Sequence, residues 1–237
     1  MLLLANGCSH TAGAEIEYET QDNCYDKAWP KTCAEELGWE WVNLAVSGAS
    51  QERIIRTTIE WVGNNYKNYN NSELYVVIMW SASSRTEFYS KSRRNYVQVV
   101  PGNDEVYKKQ FTKAEYLYYQ SYVVLQNRSA QIAKWYNNVI LLQSYLKSMN
   151  IRYLFLNATE PLPEYASLPH LIRQVHNKRY PWAHDSNNSF LNLLINRGYN
   201  MAKHSEKGYC HHVGEDAHIF YGKNIAKYIK ETVNGSI

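Results

Sequence analysis

The chain opens on an apolar run, Leu2-Leu-Leu-Ala5, closed by Asn6-Gly7. The run predicts a buried strand from Leu2 to Asn6 and then a tight turn of small residues that presents Ser9. Trp39–Val46 predicts a second strand, ending at Ser47-Gly48-Ala49-Ser50. Ile54, Ile55, Thr58, Ile59 and Val62 recur at helical spacing after Ser50, which is placed to cap that helix. An earlier short helix starts near Pro30 and leaves at Gly38. Leu74–Trp80 is almost wholly apolar, as a central parallel strand covered on both faces must be. Ser81 to about Lys113 is irregular and polar, and a long helix or helix pair follows to Met149. Ile151–Leu156 predicts a fourth strand, and 157–188 a loop-rich insertion. Helices near Phe190–Asn196 and Gly214–Lys230 close the pattern.

Four strands separated by helices imply an α/β fold: a three-layer α/β/α sandwich around a parallel, flavodoxin-like sheet, with ligands at the carboxyl ends of the strands. At 237 residues, one domain spanning 1–237 is expected, with insertions near 85–130 and 157–188. A net charge of +3 is too small to argue for nucleic acid, and the basic stretch Lys91-Ser-Arg93-Arg94 reads as a solvated loop. The first apolar run is far shorter than the roughly 20 residues a membrane span needs, and no secretory signal precedes it. A cytoplasmic protein with no membrane partner is therefore expected. Cys8, Cys24, Cys33 and Cys210 form no CxxC pair, which suits reduced thiols. Cys8, His10, Cys210, His211 and His212 gather near the same predicted edge, but they lack the paired spacing of a zinc site. Neither metal nor cofactor is expected. The 21 tyrosines are numerous. Those at 89, 96, 107, 116, 118, 119 and 122 read as a carbohydrate-stacking wall, and core packing of a long helix explains the later ones equally well.

The predicted strand ends carry the chemistry. The first ends at Ser9, the second at Gly48 and the third at Ser81-Ala-Ser83-Ser84-Arg85, while His211 and His212 precede the last helix. A hydroxyl, a glycine amide and an imidazole are the parts acyl transfer requires: nucleophile, oxyanion donor and general base. Singly, each has an ordinary reading, as a turn residue, a loop glycine and a surface histidine. Their order along the chain is the informative feature.

Gly7-Cys-Ser9-His-Thr11-Ala-Gly13 resembles the first block of the SGNH/GDSL hydrolase superfamily, with Cys8 in place of an aspartate. Asn43-Leu-Ala-Val-Ser47-Gly48-Ala-Ser50 is similar to the second block, and His212-Val-Gly-Glu-Asp-Ala217-His218 to the fifth. The likeness is closest to the divergent versions common in bacteriophage genomes, which makes a virion-associated place one expectation. The resemblance implies a serine esterase or deacetylase acting on O-acyl esters, O-acetyl esters of carbohydrate being the commonest class. Ser9 would attack, His212 would take its proton, and the amides of Ser9 and Gly48 would hold the oxyanion.

Two departures follow from the same comparison. The third block's asparagine is absent, and Ser83 offers a hydroxyl in its place. The fifth block's aspartate falls on Tyr209, which has no carboxylate, so the implied machinery is a Ser9–His212 dyad. Asp216-Ala-His218 gives a rival acid and base, although Glu215 and Asp216 also suit a helix's first turn. His211 is a neighbouring alternative, and Arg85 is a residue that can shape the pocket. An acyltransferase would use the same dyad. A catalytically weak binding module on the same fold would explain both departures.

Overall fold

Strand β1 (Leu2–Gly7) is buried throughout and lies between β2 (Glu40–Asn43) and β3 (Leu74–Trp80), all three parallel. Strand β6 (Arg152–Asn157) adds to the far side of β3, giving the order β2-β1-β3-β6. The computed structural model describes residues 1–16, 23–65, 67–69, 71–159, 189–199, 201–204 and 208–234, with the backbone alone at 71, 201–204, 208–211 and 233–234.

Alternate side chains of β3 show why both faces are covered. Tyr75 meets Trp39 at 5.8 Å between ring centroids and interacts with Thr232 and Tyr228 of helix α8 (Glu215–Asn234), which packs on α2 (Trp29–Leu37). Trp80 points the other way, edge-on to Trp135 of α6 (Arg128–Ser148), and α6 packs beside α3 (Gln51–Asn65). The result is the expected three-layer α/β arrangement, a parallel sheet flanked by helices. Helix α3 begins where its cap predicts, with Ser50 Oγ accepting from the Arg53 amide at 3.2 Å. The strand order reverses between β1 and β3, so the crevice for a ligand opens at the ends of these two strands.

The polar stretch after β3, expected to be irregular, holds regular elements. It forms an antiparallel hairpin, β4 (Thr86–Ser90) with β5 (Asn95–Val99), followed by α4 (Asp104–Gln110) and α5 (Lys113–Val124). A two-stranded ribbon buries only part of itself, so no apolar run announces it. Its basic turn ends with Arg94 in the left-handed region (φ 52), a place where glycine or asparagine would have signalled the hairpin. Val99, Tyr107 and Tyr119 make a second small core here, joined by Phe88, Phe111, Tyr116 and Tyr122. Those tyrosines therefore pack, whereas Tyr89 and Tyr96 face solvent as a cross-strand pair.

Other boundaries also moved. Strand β2 stops at Asn43, whose side chain donates to the Thr11 carbonyl at 2.8 Å. Residues before the last helix form strands that the pattern did not predict: β7 (Met201–His204) pairs antiparallel with β8 (Gly208–Val213). Helix α7 (Phe190–Asn196) stands where expected, capped by Ser189. Of the insertion predicted at 157–188, residues 160–188 lie outside the described residues. No helix among the described residues is long and apolar enough to cross a membrane.

Candidate active site

The end of β1 is held by its own side chains. Asn6 Oδ1 accepts from the Gly7 amide at 2.8 Å, and its Nδ2 faces Ile54 O, Thr57 Oγ1 and Thr58 Oγ1 at 3.1, 2.9 and 2.9 Å. Asn6 thus fastens the strand end to α3. At Gly7 a Cβ would lie 2.3 Å from Thr11 Oγ1 and 2.8 Å from the Met79 carbonyl, so the turn closes only around glycine. Immediately beyond, Ser9 opens the short helix α1 (Ser9–Ala12), and the Ala14 amide donates back to the Ser9 carbonyl at 3.0 Å.

His212, near the end of β8, comes to this turn from the other end of the chain. Its ring lies 4.8 Å from the ring of His10, and its Nδ1 is 2.7 Å from Glu15 Oε2. An ionised carboxylate only accepts, so with Glu15 ionised the hydrogen between them is carried by Nδ1. His10 in turn meets Phe190 of α7 at 5.4 Å. Among the described residues the Ser9 hydroxyl makes no hydrogen bond, so Ser9 and His212 share the sheet edge without being bonded to each other. Catalytic hydrogen bonds commonly tighten only once substrate is bound.

Glu15 is the residue that sequence reasoning missed. It is a non-glycine residue with φ 61, directly after the isolated bridge between Ala14 and Asn23. A left-handed backbone at such a residue costs about 1–3 kcal/mol and is found disproportionately at functional sites. That conformation cannot be read from Ala14-Glu15-Ile16.

The loop carrying Gly48 meets the same edge. Gly48 has φ 76 in a turn closed by the Ala49 amide on the Val46 carbonyl at 3.2 Å. A Cβ there would lie 3.3 Å from Val100 Cγ2. Among the described residues the amides of Ser9 and Gly48 donate to no protein acceptor. The hairpin braces this loop. Gln98 Oε1 accepts from the Ser50 amide at 2.9 Å, while Gln98 Nε2 donates to Glu87, itself gripped at 3.0 and 3.0 Å by Arg56.

The remaining candidates divide. Ser83 is buried in the turn after β3, closed by the Arg85 amide on the Ala82 carbonyl. Arg85 is half-buried, and among the described residues its Nη1 has no hydrogen-bond partner. His218 is fully enclosed against Phe190, with Nδ1 accepting from the Trp29 amide at 3.3 Å. Burial first, and His212 second, push its imidazole down to about 3, so it stays neutral. Asp216 stands in the first turn of α8, where its Oδ1 accepts from the Ala217 amide at 2.8 Å. The side chains of Tyr209, Cys210 and His211 lie outside the described residues. Among the described residues no three His, Cys, Asp or Glu side chains are grouped to hold a metal ion.

Comparison with solved structures places this architecture. An acetyl xylan esterase from the rumen bacterium Butyrivibrio proteoclasticus superposes with a TM-score of 0.53 at 12% identity, over 98% of this chain and 64% of the esterase chain. The present chain thus spans less than two thirds of that protein, and at such identity the likeness is one of fold. A member of the lipolytic protein G-D-S-L family from Veillonella parvula DSM 2008 aligns at 14% identity with a TM-score of 0.47, over 95% of this chain and 97% of its own. A search among curated proteins finds no match. Residues 14–174 match the model of a family described as a family of unknown function, DUF6071.

Proposed function

We propose that this chain, which belongs to the DUF6071 family, is a serine ester hydrolase whose nucleophile is Ser9 and whose general base is His212. One observation carries the reading. His212 meets the turn that presents Ser9, touching His10 on one side and Glu15 on the other. The support is thus a hydroxyl and an imidazole at the switch point of a parallel sheet, beside two amides that bond to no acceptor among the described residues.

In the reaction, Ser9 Oγ bonds to the acyl carbon while His212 Nε2 takes the hydroxyl proton. The tetrahedral oxyanion is met by the amides of Ser9 and Gly48, with the Ser83 hydroxyl as a third donor. The ester C–O bond then breaks, and the proton passes from His212 to the departing alcohol. Water repeats the sequence on the acyl-serine, releasing the acid and restoring Ser9. O-acetyl esters of carbohydrate are the proposed substrate class, consistent with the acetyl xylan esterase that shares the fold.

The test compares wild type with Ser9→Ala on p-nitrophenyl acetate and acetylated xylan, alongside labelling by a fluorophosphonate. Turnover and labelling that both vanish in Ser9→Ala support the assignment. Equal inertness of the two proteins, or labelling that persists in Ser9→Ala, overturns it.

A further inference from the structure

We infer that Glu15 is the positioning residue for the His212 imidazole, supplied by the same turn that carries the nucleophile. The inference rests on the ester-hydrolase reading above. A histidine serves as base toward a serine through one ring nitrogen only if the other holds the proton, and something must keep it there. Glu15 Oε2 at 2.7 Å from Nδ1 does this: it accepts a hydrogen bond from Nδ1–H, which stays protonated, and leaves the lone pair on Nε2. Both side chains are largely withdrawn from solvent, 17% and 22% exposed, so water competes poorly for the bond.

The backbone around Glu15 makes the placement rigid. The Ala14 amide is bonded to the Ser9 carbonyl, Ala14 pairs with Asn23, and Glu15 follows at once in a left-handed conformation. Nucleophile and orienting carboxylate are thereby fixed to each other through one short turn. His10, on that turn as well, packs its ring at a tilt against the same imidazole. The proton needs no third residue near position 209.

The experiment reads the His212 ring directly by its nitrogen chemical shifts, at a pH where the imidazole is neutral, in wild type and Glu15→Gln. Turnover of p-nitrophenyl acetate is measured on the same samples, with thermal unfolding to confirm the fold. The expected wild-type signature is an Nδ1–H tautomer, lost or mixed in Glu15→Gln. Activity in the variant is expected to fall by roughly 10²–10⁴-fold in kcat with KM little changed, as the loss of an orienting carboxylate does in serine proteases. A wild-type ring protonated at Nε2 overturns the inference even if the variant does not fold. So does an unchanged kcat in a folded Glu15→Gln variant while Ser9→Ala is inactive; that outcome leaves the hydrolase reading standing. Absence of Ser9-dependent turnover in wild type overturns the hydrolase reading, and the inference that rests on it. The ring signature in that case still reports whether Glu15 holds the imidazole.

Discussion

His10 lies face-tilted against His212 at 4.8 Å, with Phe190 behind it at 5.4 Å. The proposed general base is thus seated on a ring that adjoins the proposed nucleophile in sequence. Removing that ring takes away one of the surfaces that hold the His212 imidazole in place. His10→Ala is expected to lower kcat on p-nitrophenyl acetate by about 10–10²-fold, the scale that ångström-sized misplacement produces. His10→Phe keeps an aromatic face and is expected to retain most of the rate. Equal losses in the two variants would show that His10 acts by something other than its ring.

Gly48 gives a prediction of a different kind. Its φ of 76 and the contact a Cβ would make with Val100 combine against any side chain. Gly48→Ala is expected to destabilise the fold by about 1–2 kcal/mol through the backbone alone. If its amide meets the oxyanion, kcat should fall by about 10²–10³-fold as that donor is displaced. Pairing it with Val100→Ala relieves the contact and leaves the dihedral unchanged. The double variant is therefore expected to remain slow, and steady-state kinetics of the three proteins decide the matter.

His218 predicts a pH dependence of stability. Its pKa is depressed on folding, from the ordinary 6.5 to about 3, chiefly by burial. The unfolded chain therefore binds a proton in this window that the folded chain refuses. Its contribution to stability is complete above about pH 6.5 and is lost as pH falls toward 3. Urea unfolding between about pH 4 and 7 is expected to show this decline, and His218→Gln, which has no imidazole to titrate, is expected to flatten it. An unchanged slope in His218→Gln would assign the decline to other groups.

What the sequence made legible was whatever local physics dictates. Leu74–Trp80 had to be a buried central strand, and Ser50 had to cap α3, because each signal lies within a few residues of its effect. The hairpin of β4 and β5 escaped, since a half-exposed ribbon has neither an apolar run nor a glycine at its turn. Glu15 escaped for a stronger reason. Its partner is 197 residues away, and no local spacing joins an exposed-looking glutamate to a histidine at that distance. The motif order placed Ser9, Gly48 and His212 along the chain, yet the fold alone brought a carboxylate to the imidazole.

The chain of bonds from Arg56 through Glu87 and Gln98 to the Ser50 amide bears on how fast charge can be accommodated. In water, dipoles must turn to meet a new anion, and that turning is a large part of the barrier. A loop anchored by the hairpin at one end and by β2 at the other has little left to turn when charge develops on an acyl oxygen. On the proposed reading, the hairpin would lower reorganisation energy from outside the substrate's reach. Cutting Gln98 back to alanine would soften the medium in which the reaction occurs while leaving every reacting group in its place.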